Sequence, residues 1–253
     1  MCFTTGAFRQ QQVGEMGKQF EGKVVLVAGG TGGLGRAVSL AFLGASARVV
    51  VTYRNENEFS ALKQSIGANT ALSGHQLDVT DEVAVGRLVN QIVAANGRLD
   101  AMVNAVGAYA GGTPVWQTDP LVFDRMLALN LRSAYVLSRY VVPQMLEQKS
   151  GSIVSVSSRA AVDHAAGAAA YAASKAAVVA LFDSLAADLM GTGVRANSVL
   201  PSIIDTEVNR KAMPDADFSK WPTPEDIAKV IMFLCSEDAK LIHGASIPVY
   251  GTS

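Results

Sequence analysis

The sequence predicts a single α/β domain in which helices cover both faces of a seven-stranded parallel sheet. Two observations predict this fold class. Short runs rich in β-branched residues alternate with helical patterns from Lys23 onward. Several of these runs are apolar at every position, as strands covered on both faces must be. Because no repeat or linker-like composition interrupts the pattern, we expect one domain over residues 21–253, preceded by a flexible extension over residues 1–20.

The first half of the chain supplies the clearest elements. "KVVLVA" (23–28) and "ARVVVT" (47–52) are predicted strands because they are continuous apolar runs with many β-branched residues. "GLGRAVSLAFLG" is predicted as a helix that Gly44 can end, since glycine is common just past a helix. A polar helix over 56–65, a strand over 71–77 and a helix over 81–97 with an apolar stripe follow.

The second half continues the alternation. "AMVNAVG" and "SIVSVSS" (152–158) are the predicted fourth and fifth strands, separated by a long helix over 121–147. "VRANSVL" (194–200) is the sixth, after a helix over 171–190, and "SIPVY" (246–250) is the seventh, after a helix over 224–235. Strand–helix alternation implies right-handed crossovers, so we expect a doubly wound sheet that binds ligands beyond the carboxyl ends of its strands.

Composition and charge exclude several classes of partner. The formal net charge is −1 and the pI about 6.3, so we expect no nucleic-acid partner and no anionic membrane surface. No run reaches the roughly 18 apolar residues of a membrane span, and the N-terminus lacks the apolar segment of a secretory signal. We therefore expect a cytoplasmic protein. Cys2 and Cys235 lie far apart and the three histidines are scattered, so no metal site is expected.

A glycine-rich turn directly follows the first strand. "AGGTGGLGRA" places Gly29, Gly33 and Gly35 in a G-x-x-x-G-x-G spacing between a strand and a helix. Glycines permit a tight turn and let the backbone approach a pyrophosphate closely. The helix N-terminus then offers free N–H groups and a partial positive charge to the phosphates. The turn therefore predicts a dinucleotide site.

The end of the second strand bears on which nicotinamide cofactor binds. An acidic residue there would hydrogen-bond the adenosine ribose and favour NAD(H). Here Tyr53 takes that place and Arg54 follows, whose guanidinium can pair with a 2′-phosphate. We expect NADP(H) to be favoured over NAD(H); the alternative interpretation of Arg54 is a solvated side chain on an exposed turn.

A tyrosine and a lysine interrupt the small, apolar segment "AAAYAASKAAVV". Tyr171 and Lys175 lie four residues apart and so share one face of the predicted helix. Reduction of a carbonyl by hydride transfer needs a proton donor, but a free tyrosine has a pKa of about 10. A cation within about 4–6 Å can lower that pKa by roughly 1–3 units. The pair therefore predicts a general acid beside its activating cation.

In their order along the chain, these motifs resemble those of the short-chain dehydrogenase/reductase family. The glycine turn, "NAVG", "SVSS" and Y-x-x-x-K carry the resemblance, which extends from about Lys23 to Gly251. It implies a Rossmann-type fold and an NAD(P)-dependent oxidoreductase that acts on a carbonyl or alcohol. The implied catalytic group is Asn130, Ser158, Tyr171 and Lys175.

The same resemblance gives individual residues a role. Ser158 would hydrogen-bond the substrate oxygen where charge develops, and Asn130 would help hold a water that passes protons towards Lys175. Asp78 resembles the residue that touches adenine, and Thr206 the residue that holds the nicotinamide carboxamide. The implied cofactor-binding residues are Gly29, Thr31, Gly33, Leu34, Gly35, Arg54, Asp78, Val79, Asn104, Ala105, Val106, Tyr171, Lys175, Pro201, Ile204 and Thr206.

A few positions depart from the family pattern without removing a catalytic group. Ala28 stands where threonine is usual, and Ser202 where glycine usually follows Pro201. Residues 200–221 and 106–114 also resemble segments of quinonoid dihydropteridine reductases, which typically use NADH and lack the catalytic serine. This narrower resemblance adds a quinonoid or pterin-like ring to the expected small-molecule carbonyl substrates.

Several aromatic and histidine side chains admit two interpretations. Tyr109, Trp116, Phe218 and Trp221 either form an aromatic wall around such a ring or are packed under loops. His164 either lines the pocket or is a loop histidine. The non-enzyme alternative is a nucleotide-binding regulator on the same fold, although all four catalytic positions are present. By resemblance, the helices over 121–147 and 171–190 support a homotetramer or homodimer.

Overall fold

The computed structural model describes residues 18–68 and 71–252, and in these residues seven parallel strands form one sheet. The strands are β1 (Val24–Ala28), β2 (Arg48–Tyr53), β3 (Leu72–Gln76), β4 (Ala101–Asn104), β5 (Gly151–Val156), β6 (Val194–Pro201) and β7 (Ser246–Val249). Their order across the sheet is β3-β2-β1-β4-β5-β6-β7, and every neighbouring pair is parallel. Successive strands are thus added in one direction from β1 to β3 and in the opposite direction from β4 to β7, and this switch between β1 and β4 leaves a crevice beyond their carboxyl ends.

Helices cover both faces of this sheet, as the sequence predicts. They are α1 (Gly33–Gly44), α2 (Glu56–Ser65), α3 (Glu82–Asn96), α4 (Pro120–Met126), α5 (Ser133–Gln148), α6 (Ala169–Asp188), α7 (Glu207–Ala212) and α8 (Pro224–Cys235). Buried residues of α1, α2 and α8 pack on one face of the sheet, and those of α3, α5 and α6 pack on the other. The predicted doubly wound α/β fold is confirmed.

Side chains of the central strands alternate between two apolar cores. In β1, Val25 and Val27 belong to the core under α1 and α8, whereas Val24, Leu26 and Ala28 belong to the core under α3, α5 and α6. All five are buried. A strand whose side chains fill two apolar cores favours apolar residues at every position. In β1 the first polar side chain, that of Thr31, accordingly follows the end of the strand.

The long helix predicted over 121–147 consists of three parts. Pro120 begins α4, and the Asp119 side chain caps it by accepting a hydrogen bond from the Leu121 N–H. Leu127–Arg132 is a π-helical segment that continues directly into α5. Local π-helix inside an α-helix often marks a functional site, and Asn130 lies within this one.

The predicted fourth strand, over 101–107, is shorter than expected. It ends at Asn104, whose side chain accepts a hydrogen bond of 3.1 Å from the Val106 N–H. This bond turns the chain out of the sheet and into a loop that reaches Thr113 at the mouth of the crevice.

The extension predicted over residues 1–20 falls largely on residues 1–17, which lie outside the described residues. Phe20, at the end of that predicted extension, is buried and packs edge-on against Phe42 of α1, with ring centroids 4.9 Å apart. Its N–H donates to the Ala45 carbonyl. The folded domain therefore includes Phe20.

Among the described residues, α6 is the one helix whose length and apolar composition would allow it to cross a membrane. Core helices of soluble proteins meet the same criterion. Here the helix packs against the sheet through buried residues that include Val178, Phe182 and Ala186, and it carries the buried Lys175. Its apolar character is thus accounted for by the core.

Candidate active site

The glycine turn is fastened to the end of the neighbouring strand β2. The Gly29 N–H donates to the Thr52 hydroxyl at 3.0 Å, and the Gly30 N–H donates to the Thr52 carbonyl at 3.1 Å. Thr52 is 2% exposed. It supplies a hydroxyl partner for the turn although Ala28 replaces the usual threonine. Thr52 is not among the predicted site residues, although a polar residue near the end of an otherwise apolar strand could have indicated it.

The turn has the space and the donors that a pyrophosphate needs. Gly29 has φ of +72°, a conformation that favours glycine. A Cβ at Gly35 would lie 2.0 Å from the Gly29 carbonyl oxygen, so only glycine fits where α1 meets the turn. A Cβ at Gly33 would lie 3.0 Å from the Thr206 methyl group. Gly32 caps α1 without a side-chain hydrogen bond, which leaves first-turn N–H groups available to an anion.

The loop after β6 closes the other side of this crevice. Pro201 is the buried last residue of β6, and Thr206 caps α7 by accepting a hydrogen bond from the Asn209 N–H. The Ile204 carbonyl accepts a hydrogen bond of 2.8 Å from the Asn209 amide. Because the Thr206 methyl group faces Gly33, the structure brings together the cofactor residues predicted after β1 and after β6.

The loop after β4 borders the glycine turn as well. Asn104 is 1% exposed and holds Val106 by the bond described above, while its amide donates to the Ser133 hydroxyl at 3.4 Å. A Cβ at Gly29 would lie 3.0 Å from a methyl group of Val106 and 3.4 Å from the carbonyl carbon of Ala105. The predicted residues after β4 therefore lie directly against the turn.

The residues that follow β2 and β3 form the far end of the crevice. Arg54 is exposed and makes no ion pair within the described part of the chain. The Asp78 carboxylate accepts hydrogen bonds from the Thr80 N–H at 2.9 Å and from its hydroxyl at 2.8 Å. The first of these bonds is the main cause that lowers the pKa of Asp78, and the positive charge of Arg54 contributes. Val79 is buried beside them.

Tyr171, Ser158 and Lys175 meet where β5 ends and α6 begins. The Ser158 side chain lies within hydrogen-bonding reach of the Tyr171 hydroxyl, and the Ser158 hydroxyl accepts a hydrogen bond of 3.1 Å from the Ala160 N–H. The Lys175 ammonium donates to the Val156 carbonyl at 2.9 Å, and the lysine is 5% exposed. Burial lowers the pKa of Lys175 to about 8. Three of the four predicted catalytic side chains therefore lie in one cluster.

The expected effect of Lys175 on the tyrosine is not observed. Burial raises the pKa of Tyr171 above its ordinary value, and the hydrogen bond with Ser158 acts in the opposite direction without outweighing it. Two physical reasons account for the difference: burial removes water from the phenolate, and the Lys175 ammonium is directed at the Val156 carbonyl. Ser158 is the group that acts to lower the pKa of Tyr171.

Asn130, the fourth predicted catalytic residue, ties the loop after β4 to α6. Its amide donates to the Ala108 carbonyl at 3.0 Å and to the Ser174 hydroxyl at 2.9 Å, and its carbonyl accepts from the Ala108 N–H at 2.9 Å. A Cβ at Gly107 would lie 2.8 Å from the Asn130 oxygen and 3.1 Å from the Lys175 ammonium. Gly107, although part of the "NAVG" motif, and Ser174 are not among the predicted site residues, because only the tertiary structure brings them to Asn130.

The aromatic residues predicted around the site have different environments. The Tyr109 ring meets the Tyr171 ring edge-on, with centroids 5.0 Å apart. Phe218 and Trp221 contact each other at 5.0 Å, and Trp221 is buried under its loop. Trp116 is 80% exposed. Among these residues, Tyr109 is therefore the one that the structure brings into contact with Tyr171 of the predicted catalytic group. His164 lies on an exposed loop.

A cavity of about 470 Å³ lies at the opposite edge of the sheet, among residues such as Lys23, Asp100 and Arg195. The Arg195 guanidinium donates to the carbonyls of Leu234 and Ser236, at the end of α8, and Lys23 pairs with Asp100 at 3.4 Å. Arg195 thus satisfies carbonyl groups at the end of a helix, and the Lys23–Asp100 pair lies where two strands begin. The chemical groups that suit catalysis are at the carboxyl edge instead.

Comparison with known proteins agrees with this geometry. Residues 23–217 match the family model described as short chain dehydrogenase. The chain is 31% identical over 242 residues to the 3-oxoacyl-(acyl-carrier-protein) reductase FabG of Thermotoga maritima, covering 92% of this chain and 98% of that protein. It is 33% identical over 241 residues to meso-2,3-butanediol dehydrogenase of Serratia marcescens, covering 92% and 95%. The solved structure of ElxO with NADP bound superposes with a TM-score of 0.85 at 31% identity, covering 90% of this chain and 97% of that one.

None of these three relatives is a dihydropteridine reductase, so that narrower resemblance is not supported by them. The family model covers well over half of the chain, and the relatives match almost all of it. The fold and the glycine-rich turn suit a nicotinamide-dependent oxidoreductase. The chain belongs to the short-chain dehydrogenase/reductase family and is an NAD(P)-dependent enzyme of that family.

Proposed function

We propose that this enzyme transfers hydride between NADP(H) and a small carbonyl or alcohol substrate, with Tyr171 as the general acid and base. The observation that carries the proposal is the contact of Tyr171 with Ser158 at the carboxyl edge, one helical turn from the buried Lys175. A bound nicotinamide would supply or accept the hydride. Gly29, Gly33 and the N–H groups at the start of α1 would hold its pyrophosphate, and Thr206 would lie across the crevice from them.

The protein's own residues have the remaining tasks. Ser158 would donate a hydrogen bond to the substrate oxygen, where negative charge develops during reduction. Tyr171 would give its phenolic proton to that oxygen, and would take the proton back when an alcohol is oxidised. The high pKa that burial gives Tyr171 keeps it protonated near neutral pH, which suits a proton donor in the reductive direction.

Lys175 is suited to resupply that proton. Its pKa of about 8 lies near physiological pH, so it can both bind and release a proton there. The absent side chain of Gly107 leaves space beside its ammonium and the Asn130 amide oxygen. We place a proton path from solvent to Tyr171 along these groups, with Asn130 as the residue that positions its outer part.

The preference for NADP(H) rests on the far end of the crevice. Arg54 follows β2 with its guanidinium exposed and unpaired within the described residues, and Tyr53 stands where an acidic residue would favour NAD(H). ElxO, whose structure contains NADP, is 31% identical to this chain. A guanidinium pairs with a 2′-phosphate by charge-assisted hydrogen bonds.

The substrate class is a small molecule that carries a carbonyl or a secondary alcohol. The two sequence relatives act, as their names state, on a 3-oxoacyl group and on butanediol. No specific contact favours a quinonoid or pterin ring over such substrates. A cytoplasmic location and a homotetramer or homodimer remain predictions.

Conversion of Tyr171→Phe tests the mechanism. Turnover of NADPH with aldehydes, ketones, diketones and quinones, followed by nicotinamide absorbance, should fall by at least about a hundredfold, since loss of general acid catalysis costs that much. Cofactor affinity should stay close to that of the wild type. Tyr135→Phe, which removes an exposed hydroxyl on α5, is the matched control and should retain activity. Undiminished turnover in Tyr171→Phe would show that another group donates the proton.

A further inference from the structure

The hydroxyl group of the glycine turn is hydrogen-bonded to a carboxylate. Thr31, in the middle of the turn, donates a hydrogen bond of 2.9 Å from its hydroxyl to Glu58. Glu58 lies in the first turn of α2, beyond the end of β2, and its side chain is exposed. Neither the motifs nor the resemblance singled out Glu58, because it lies outside every motif.

The position of Glu58 follows from the sheet. β1, β2 and β3 are neighbours, so the residues that follow them lie side by side at strand spacings of about 4.8 Å. Thr31 follows β1, Arg54 follows β2 and Asp78 follows β3. The charge of Arg54 helps to lower the pKa of Asp78, which places the two near each other. Through its bond to Thr31, the Glu58 carboxylate lies at this same end of the crevice.

The neighbouring carboxylate, Glu56, is engaged elsewhere. Tyr53 donates its hydroxyl to Glu56 at 2.7 Å, and the Tyr53 ring stacks on Phe59 with centroids 4.5 Å apart. Glu56 and Glu58 therefore have the same charge and share the first turn of one helix, but only Glu58 contacts the glycine turn. This difference provides a matched pair of positions.

We propose that Glu58 is a cofactor-specificity residue that opposes Arg54. A carboxylate only accepts hydrogen bonds, so Glu58 can accept from the 2′-hydroxyl of NAD(H) but repels the 2′-phosphate of NADP(H). Arg54 attracts the phosphate and is indifferent to the hydroxyl. The relative affinity for NADP(H) and NAD(H) therefore depends on the opposing effects of Glu58 and Arg54. This inference rests on the proposed function, since it assigns the adenosine end of the same nucleotide site.

The expected effect is measurable. Removing one like charge near a dianionic phosphate at a solvated surface should strengthen its binding by roughly three- to tenfold. Glu58→Gln removes the charge and keeps an oxygen that can accept from Thr31, so the fold of the turn is retained. Glu56→Gln removes the same charge from the same helix turn and is the control. Arg54→Gln is the opposite perturbation.

Binding of NADP⁺, NAD⁺, 2′,5′-ADP and 5′-AMP to the full-length variants, measured by calorimetry, tests the inference without turnover. In Glu58→Gln, affinity for NADP⁺ and 2′,5′-ADP should rise roughly three- to tenfold, while affinity for NAD⁺ and 5′-AMP stays equal or falls. Arg54→Gln should weaken NADP⁺ and 2′,5′-ADP by about tenfold or more. Both effects should shrink at about 1 M salt, where surface charges are screened.

The outcomes separate this inference from the proposed function. If Glu58→Gln changes the NADP⁺/NAD⁺ affinity ratio no more than Glu56→Gln does, Glu58 merely ties α2 to the turn and the inference is wrong, although cofactor binding stands. If wild-type protein binds neither NADP⁺ nor NAD⁺, the proposed function fails and the inference fails with it. A raised ratio in Glu58→Gln that persists at high salt would also contradict the electrostatic explanation.

Discussion

Gly35→Ala is the substitution whose consequence can be worked out most fully from the structure. A Cβ at this position would lie 2.0 Å from the Gly29 carbonyl oxygen, 2.8 Å from its carbon and 3.0 Å from the Gly30 Cα. Real Cβ atoms essentially never approach closer than 3.0 Å, so the oxygen and the new methyl group must separate by about 1 Å. All three neighbours are backbone atoms, and Gly29 and Gly30 are held by their hydrogen bonds to Thr52.

The cost should lie at the upper end of what overpacking causes, about 3 kcal/mol, because no flexible side chain can give way. For a domain of this size that corresponds to a melting temperature lower by about 6–12 °C. Cofactor affinity should fall as well, since the displaced turn is the proposed pyrophosphate site. Thermal unfolding and cofactor titration of the purified variant measure both quantities.

Two further glycines in α1 make the test specific. A Cβ at Gly44 meets no atom within 4 Å, so Gly44→Ala should leave cofactor binding unchanged and cost no stability. A Cβ at Gly33 would meet only the Thr206 side chain, whose methyl group lies 3.0 Å away. Gly33→Ala should keep near-wild-type stability but weaken cofactor binding about tenfold, because the added methyl group fills the crevice. A Gly35→Ala protein that melts within about 2 °C of wild type and binds the cofactor normally would refute the assigned turn geometry.

Two predictions concern the groups around Tyr171. Burial lowers the pKa of Lys175 from 10.5 to about 8. Between these pH values the lysine is protonated in the unfolded chain but deprotonated in the folded chain, so the free energy of unfolding rises with pH. Measured by urea unfolding, the free energy of unfolding of the wild type should increase between pH 8 and pH 10.5 by up to about 3 kcal/mol more than that of Lys175→Met. An equal pH dependence of the two proteins would mean that Lys175 is solvated. Asn130→Ala removes the bonds to Ala108 and Ser174 and should cost about 1–3 kcal/mol. Hydrogen exchange should accelerate in the loop around Ala108, while the exposed Asn90→Ala leaves it unchanged.

The sequence was sufficient for the architecture because the signals there are local. Continuous apolar runs predict strands that are buried on both faces. The glycine spacing predicts a tight turn, and Gly35 does lie directly against the Gly29 carbonyl. The spacing of Tyr171 and Lys175 predicted a shared helix face, and both residues lie in α6.

The parts that could not be predicted depend on contacts between distant segments. Thr52 replaces the hydroxyl missing at Ala28 only because β2 lies beside β1. Asn130 reaches Ala108 and Ser174 from a π-helical segment that no periodicity indicates. The pKa of Tyr171 depends on its burial, which the spacing of two residues does not reveal.

The surroundings of the charged groups at the two edges of the sheet support the location of the site. At the carboxyl edge, burial lowers the pKa of Lys175, which costs folding free energy. At the amino edge, by contrast, Arg195 satisfies helix-end carbonyls and Lys23 pairs with Asp100. The amino edge thus pairs its charges, whereas the carboxyl edge keeps a lysine buried near Tyr171, an arrangement that is expected at a functional site and not from stability alone.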